Sequence, residues 1–265
     1  MNAFASNFAE PFTPRGVAAF ARATFGRLLL TQFIIALLVA VSIISFLHDN
    51  CFPTIQQAIQ NLPDTGKISY GKLAWPGDSP KLLAGGKFLA LAVDLDHSGQ
   101  IQSTADAQVE FGGNSVRIFS LLGYLEFFYP PDRYAPFNRA ELEPIWGAWR
   151  AEILFLAAIA TVVAFFLVWW ILATLYFVPA WIFAFYLNRE ADFRASWKLS
   201  TAALLPGTLL LVAGILLYDF DFLTLVSFGF IFGAHFILGW IYLFAASFFL
   251  PRIPPLRKNP FRTKR

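Results

Sequence analysis

Charged residues and cysteines are scarce in this chain. Only 14% of its 265 residues are Asp, Glu, Lys or Arg, while 57% are hydrophobic and 18% are aromatic. A soluble domain of this length usually carries about 25% charged residues. Cys51 is the one cysteine, so no internal disulfide can form. These shortages exclude a disulfide-stabilised scaffold and indicate a membrane protein.

Motifs of common catalytic sites are also missing. The chain has no glycine-rich phosphate loop, no HExxH, no CxxC and no GxSxG, the patterns that hold phosphate, zinc, redox thiols or a serine nucleophile. Its histidines, His48, His97 and His235, lie far apart in sequence, although the first two share one predicted domain. We therefore expect no enzyme activity, no cofactor and no catalytic metal.

The hydrophobic residues are gathered in long uncharged runs. A membrane-spanning helix needs about 20 apolar residues to cross about 30 Å of hydrocarbon. We therefore predict an α-helical membrane protein with four transmembrane helices and a small, mostly β (α+β) extracytoplasmic domain inserted over 48–150. The four predicted spans are 28–47, 151–175, 199–218 and 222–250.

The second hydrophobic run is too long for one upright helix and too short for two spans with a turn. Pro179 is expected to break or kink a helix there, and the tryptophans and tyrosines around it are typical of a membrane interface. We predict that the span ends at residue 175. An interfacial segment (178–188) and a cytoplasmic loop then occupy 176–198. The alternative is a five-span arrangement in which 176–188 form a separate span.

The distribution of basic residues predicts the orientation of the spans. Positive charges are in excess before the first span, between the second and third, and in the tail over 251–265, whereas the loop over 219–221 has only acids. Because Lys and Arg concentrate in cytoplasmic loops, both termini are predicted to be cytoplasmic. The segment over 1–27 resembles an interfacial helix that contacts lipid. The basic tail either fixes the topology or lies on the same lipid surface.

The inserted domain shows signals for both helices and strands. A short helix is predicted in FPTIQQAIQNLP between Pro53 and Pro63, and single strands in KISYGKLAWP, KFLALAVDL and YLEFFYP. QVEF and VRIFSLL, joined by GGN, have the pattern of a β-hairpin. Asn138 is suited to cap a helix that continues into the second span.

A turn after KFLALAVDL resembles a calcium-binding loop. Asp94, Asp96, Ser98 and Gly99 occupy positions 1, 3, 5 and 6 of that pattern. However, position 12 is Ala105 where a bidentate acid is required, and the preceding segment is strand-like rather than helical. Asp, Ser and Gly also favour tight turns. We therefore predict a turn, with a calcium site at Asp94, Asp96 and Ser98 as the alternative.

One ionisable residue, His235, lies in the last predicted span. We expect its ring to hydrogen-bond across the bundle to a hydroxyl such as Thr201 or Thr208. A proton-handling or ligand-binding role is the alternative, because ionisable groups at membrane depth often mark functional sites.

Small residues in the last two predicted spans indicate helix packing. GFIFG places Gly229 and Gly233 four residues apart, which permits close helix contact within one chain or between two. Gly239 lies one turn from His235. Pro206 is expected to kink the third helix.

The order of motifs resembles that of a known family. PFTP, one span, NLPDTGKISYGKLAWP, FLALAVDLDHSGQI and FRASWKLSTAALLP follow one another along the chain. This order is similar to a bacterial inner-membrane family of unknown function (DUF1189 type), some members of which are labelled maltodextrin-utilisation proteins. WKLSTAALLP also looks like a membrane segment of Yip1-like proteins. The residues that match the family pattern are Leu62, Pro63, Ile68, Gly71, Leu73, Val93, Asp94, Ser98 and Gly99.

The resemblance implies a bacterial inner-membrane location and a link to sugar uptake. It also implies that the Asp94–Gly99 turn closes a hairpin after a core strand. The chain departs from the family pattern by its longer DLDHSG turn. No catalytic residues are defined for the family, so none are assigned here.

Two functions fit these features. The first is a non-enzymatic interaction or sensing protein whose outer domain binds an envelope partner or ligand. The alternative is a transporter, or an accessory subunit of an uptake system, that uses the third helix and His235. The expected partners are the lipid bilayer and an envelope protein or a second copy of the chain, with no nucleic acid.

Overall fold

A computed structural model describes residues 12–253, which divide into two compact units. The helical unit contains the described residues up to Ser42 and from Ile159 onward, and the β unit contains Ile43–Ala158. The predicted insertion of a β-containing region between the first and second spans is therefore confirmed. Parts of the predicted N-terminal segment (1–11) and of the basic tail (254–265) lie outside the described residues.

The helices include four runs that are long and apolar enough to cross a membrane. These runs are Phe25–Gln60, Arg139–Tyr186, Phe193–Asp219 and Leu225–Ser247. A π-helical turn over Leu47–Cys51 divides the first run into two helices. The helices are α1 (Pro14–Phe20), α2 (Phe25–Phe46), α3 (Phe52–Gln60), α4 (Arg139–Tyr186), α5 (Phe193–Asp219) and α6 (Leu225–Ser247). The number of candidate spans is confirmed for the described part of the chain, while their orientation stays a prediction.

Helix α4 differs from the predicted second span. It runs without interruption from Arg139 to Tyr186 and includes Pro179, so the prediction of a separate segment over 178–188 is wrong. A proline removes one helical hydrogen bond, but the helix has buried Tyr176 and Ala180 on either side of it. Tertiary packing of this kind supplies most helical stability in proteins. The predicted cap is confirmed, since Asn138 Oδ1 accepts a hydrogen bond from the Glu141 amide at 2.9 Å.

Small residues allow α5 and α6 to approach closely. A Cβ added at Gly207 would overlap the His235 carbonyl, and one added at Gly214 would lie 2.6 Å from Ile231 Cγ2. A Cβ added at Gly239 would lie 3.1 Å from Leu204 Cδ2. Helix α1 packs against both α5 and α6. This is the packing by small residues that membrane helices commonly use.

The β unit contains two sheets. The strands are β1 (Lys67–Ser69), β2 (Lys72–Ala74), β3 (Lys81–Gly85), β4 (Leu89–Val93), β5 (Ala107–Phe111), β6 (Ser115–Ser120), β7 (Gly123–Phe128) and β8 (Ala135–Pro136). The small sheet has the order β2-β1-β8 and the large sheet the order β3-β4-β5-β6-β7. Their shared core includes Ala58 of α3 together with Leu62, Leu83, Val93 and Phe137.

Two local predictions for the β unit are wrong. KISYGKLAWP forms a hairpin rather than one strand, because Tyr70 and Gly71 both have positive φ, as a two-residue type I′ turn requires. β4 pairs with β5 in parallel, so the Asp94–Gly99 turn opens a crossover instead of closing a hairpin. The hairpin joined by GGN is confirmed as β5 and β6, and YLEFFYP supplies β7.

Candidate functional site

One row of the large sheet carries charged residues across three strands. The register aligns Glu110 of β5 with Arg117 of β6, and Arg117 with Glu126 of β7. Residues directly opposite each other point to the same face of a sheet. Together with His97, from the crossover after β4, and Ser115, they form a set that we call the polar cluster: His97, Glu110, Ser115, Arg117 and Glu126.

The polar cluster is joined by short hydrogen bonds. His97 Nδ1 lies 2.5 Å from Glu110 Oε1, and His97 Nε2 lies 3.1 Å from Ser115 Oγ. Ser115 Oγ donates to Glu126 Oε1 at 2.7 Å, and Arg117 Nε donates to the same oxygen at 3.1 Å. Glu110 and His97 form a buried pair, with 2% and 10% of their side chains exposed. Buried ionic groups persist only when they are paired in this way.

Proton positions in the polar cluster follow from its hydrogen bonds. A carboxylate can only accept, so Ser115 gives its hydroxyl proton to Glu126 and receives one from His97 Nε2. The other ring nitrogen of His97 shares a hydrogen bond with Glu110 Oε1. The hydroxyl of Ser115, aided by Arg117, lowers the pKa of Glu126 despite partial desolvation of the carboxyl.

The polar cluster resembles a Ser–His–acid triad in order but not in hydrogen bonding. In a catalytic triad the serine donates to the histidine, which acts as the base. Here the Ser115 hydroxyl donates to Glu126, and Ser115 is only 3% exposed. This geometry holds charges in place and offers no nucleophile at the surface.

The outer edge of the same sheet is apolar and exposed. β7 is the end strand and pairs only with β6 among the described residues. Its large apolar side chains and those of the adjoining turn are 56–96% exposed, with Leu122 at 96%. We call these residues the strand-edge surface: Leu121, Leu122, Tyr124, Leu125, Phe127 and Phe128.

The opposite edge of the sheet is different in character. β3 begins with Lys81 directly after Pro80, and its register shifts between Leu82 and Ala84. Charged residues, prolines and register shifts are the devices that protect sheet edges from pairing with other chains. β7 has an unbroken register with β6 and contains neither proline nor lysine. The two edges therefore differ in their capacity to accept a further strand.

The Asp94–Gly99 segment forms a side-chain-stabilised turn. Asp94 Oδ2 accepts hydrogen bonds from Ser98 Oγ at 2.7 Å and from the Gly99 amide at 3.2 Å. Asp94 is 1% exposed, whereas Asp96 is exposed. Between residues 12 and 253 no three His, Cys, Asp or Glu side chains are grouped to hold a metal ion. The calcium alternative stays a prediction.

His48 and His97 do not share a site. The ring of His48 lies 2.7 Å from Asp49 Oδ1. His97 instead bonds to Glu110 and Ser115. The two histidines, which are far apart in the sequence, therefore also have different hydrogen-bond partners in the fold.

The prediction that His235 forms a hydrogen bond across the bundle is wrong. Its Nδ1 donates to the Phe232 carbonyl in its own helix, where a histidine finds an acceptor without crossing to another helix. Thr201 donates to the Trp197 carbonyl at 2.9 Å. Thr208 accepts from Trp169 Nε1 of α4 at 3.1 Å, so the interhelical bond in this region involves Trp169.

The predicted packing residues have different surroundings. Gly229 and Gly233 have no atom within 4 Å of an added Cβ, so GFIFG makes no close contact within the described chain, and contact between chains stays a prediction. Gly239 packs on Leu204. Pro206 lies buried inside the uninterrupted helix α5, and its kink stays a prediction.

The polar cluster was not predicted, although part of its signal is in the sequence. A hairpin closed by GGN places Glu110 opposite Arg117, which could have been derived from the predicted hairpin alone. His97 reaches Glu110 only because β4 and β5 are parallel, and no local pattern reveals this. No family model, curated protein or solved structure matches the chain. The family resemblance therefore depends on its motifs alone.

Proposed function

We propose that the protein is a non-enzymatic interaction protein of the bacterial inner membrane, anchored by four spans. In this proposal the β unit is extracytoplasmic and both termini are cytoplasmic. Support comes from the basic residues at one end of the helices: Arg22, Arg27, Arg189, Arg194 and Lys198. The positive-inside rule places such a group on the cytoplasmic side.

The strand-edge surface is the observation that carries the proposal. Six large apolar side chains there are more than half exposed, on the turn and on both faces of β7. Exposed apolar surface of this extent marks interaction sites in proteins. We identify the occupant as an extended segment of an envelope protein that adds a strand to β7. Backbone hydrogen bonds would supply affinity, and apolar side chains would supply specificity.

The chemistry of the polar cluster supports a non-enzymatic role. Its serine is buried and its side chains hydrogen-bond to one another, so it fixes the strands that carry the strand-edge surface. Glu126 belongs to β7 and bonds to Ser115 and Arg117 of β6. These bonds hold the backbone of β7 in register, as an incoming strand would require.

A site-specific photocrosslinker tests this function in intact cells. We would place the crosslinker at Leu125 in the full-length protein, with Leu82 on the protected edge as the matched position, since both are exposed. The proposal predicts one envelope protein crosslinked at Leu125 and not at Leu82. The double variant Leu125→Lys/Phe127→Lys should lose this partner while remaining in the membrane.

Other crosslinked products would contradict the proposed partner. Crosslinks from Leu125 to lipid alone would assign the strand-edge surface to the bilayer. Crosslinks to a second copy of the chain would make it a dimer interface. Equal capture of many proteins at Leu125 and Leu82 would show that the two edges do not differ.

A second candidate, a transporter or accessory uptake subunit, is favoured by buried polar atoms in the helical unit. Both polar atoms of the Gln32 side chain, and the hydroxyls of Ser196 and Ser200, are buried without a hydrogen bond among the described residues. An unbonded amide inside a membrane costs several kcal/mol, so a polar ligand there would be stabilised. A solute-uptake defect in a deletion strain, restored by wild type but not by Gln32→Leu, would support this candidate.

A further inference from the structure

A cleft in the helical unit lies where three helix ends meet. Its volume is about 570 Å³, and it is bounded by the start of α2, the last turns of α4 and the start of α5. Four aromatic residues and two cations line it: Phe25, Phe177, Phe193, Arg194, Trp197 and Lys198.

The aromatic side chains form the walls of the cleft. Phe25 and Phe193 are 50% and 61% exposed, so a large apolar area remains uncovered. The indole of Trp197 is fixed by a hydrogen bond to Thr174 Oγ1 at 3.3 Å, and its ring contacts Phe25. Aromatic rings with a polar tip are typical of the boundary between hydrocarbon and head groups.

The two cations of the cleft lack a carboxylate partner. The side chain of Arg194 makes no hydrogen bond or ion pair with the described residues. Lys198 Nζ donates to the Ala23 carbonyl at 2.8 Å, which leaves two of its three N–H groups. The acids of the preceding loop are engaged elsewhere. Glu190 pairs with Arg22 at 3.2 Å, and Asp192 accepts from the Ala195 amide at 2.6 Å.

We propose that this cleft binds a phospholipid with an anionic head group. Arg194 and Lys198 would contact the phosphate, and an acyl chain would lie against Phe25, Phe177 and Phe193. A zwitterionic lipid would bring its own choline cation close to Arg194 and Lys198, whereas a small anion would leave the aromatic walls uncovered. The inference is independent of the proposed function, because the cleft belongs wholly to the helical unit.

Native mass spectrometry of the full-length protein tests this site. The protein would be reconstituted in nanodiscs of phosphatidylglycerol or phosphatidylcholine and released for measurement of retained lipid. We expect retention of phosphatidylglycerol over phosphatidylcholine. Because a cation near an anionic lipid contributes about 1 kcal/mol, Arg194→Gln should lower phosphatidylglycerol retention by about five-fold, and Arg194→Gln/Lys198→Gln should lower it further.

The matched control removes two charges outside the cleft. Arg15→Gln/Arg252→Gln should leave lipid retention unchanged, because neither residue lines the cleft. Arg194→Gln is the decisive single variant, since it breaks no bond within the described structure. The proposal is overturned if phosphatidylcholine is retained equally, or if the control lowers retention as much as Arg194→Gln. It is also overturned if inorganic phosphate alone displaces the retained lipid at millimolar concentration.

Discussion

In the large sheet of the β unit, ionisable side chains are buried in the middle, whereas apolar side chains are exposed at the outer edge. In the middle, the ionisable side chains of Glu110 and His97 are buried and paired with each other. At the edge, Leu122, Leu125 and Phe128 are apolar and exposed. A soluble sheet normally buries its apolar side chains and exposes its charges. The polar cluster and the strand-edge surface therefore need different explanations.

The polar cluster and the strand-edge surface differ in where their side chains find interaction partners. Every charge of the polar cluster has a partner inside the β unit, so the cluster stabilises one arrangement of strands. The strand-edge surface has no such internal partner on its outer side among the described residues. Its exposed area becomes favourable only when something else covers it. The comparison separates a structural region from a binding region, and each can be disrupted without the other.

The largest expected effect on stability comes from His97→Ala. This change leaves the buried Glu110 side chain without its His97 partner, and breaking a buried pair by removing one partner typically costs about 3–5 kcal/mol. Hydrogen exchange of the full-length protein should show protection of the β5 and β6 amides falling by two orders of magnitude or more, at about 1.4 kcal/mol per tenfold. The double variant His97→Gln/Glu110→Gln should recover much of this loss. Unchanged protection in His97→Ala would refute a structural role for the cluster.

Gly112→Ala should have a smaller effect on the same region. An added Cβ would overlap the imidazole ring of His97, and that ring is held by Glu110 and Ser115. Overpacking of this kind typically costs about 1–3 kcal/mol. The same exchange measurement on β5 and β6 amides checks it.

Two controls separate this steric effect from a general effect of alanine. Gly147→Ala in α4 meets no atom within 4 Å and should be neutral or slightly stabilising, because alanine favours helix. In a His97→Ala background, Gly112→Ala should cause little further loss of stability, because the imidazole ring that the added Cβ would overlap is gone. A full cost in that background would mean that His97 is not the obstructing group.

The pH dependence of stability provides a third test of the polar cluster. The Ser115 hydroxyl and Arg117 lower the pKa of Glu126 below its ordinary value of about 4.3. A lowered folded-state pKa stabilises the fold above the ordinary pKa, and this contribution is lost as pH falls through the lowered value. Between about pH 5 and pH 3, wild type should therefore lose more stability than Glu126→Gln. If thermal unfolding showed equal losses of stability in wild type and Glu126→Gln, the assigned hydrogen bonds of Glu126 would be contradicted.

The sequence predicted the features that depend on local pattern. The four hydrophobic runs, the cap at Asn138 and the hairpin closed by GGN all follow from spacing within about 25 residues, and all are found. The missed features depend on tertiary context. The unbroken helix through Pro179 depends on packing of its neighbours, and the bond of His97 to Glu110 depends on a parallel pairing.

The strand-edge surface should contribute least to the stability of the fold. Leu125 and Phe127 are 65% and 56% exposed, and exposed substitutions usually change the free energy of unfolding by no more than about 0.5 kcal/mol. Leu125→Lys/Phe127→Lys should therefore unfold at nearly the wild-type temperature, as should Leu82→Lys on the protected edge. A large loss of stability in the first variant alone would place these side chains in the core of the β unit. Loss of the crosslinked partner at unchanged stability would instead separate binding at the edge from folding in the middle, because the apolar side chains would then act only on something outside the chain.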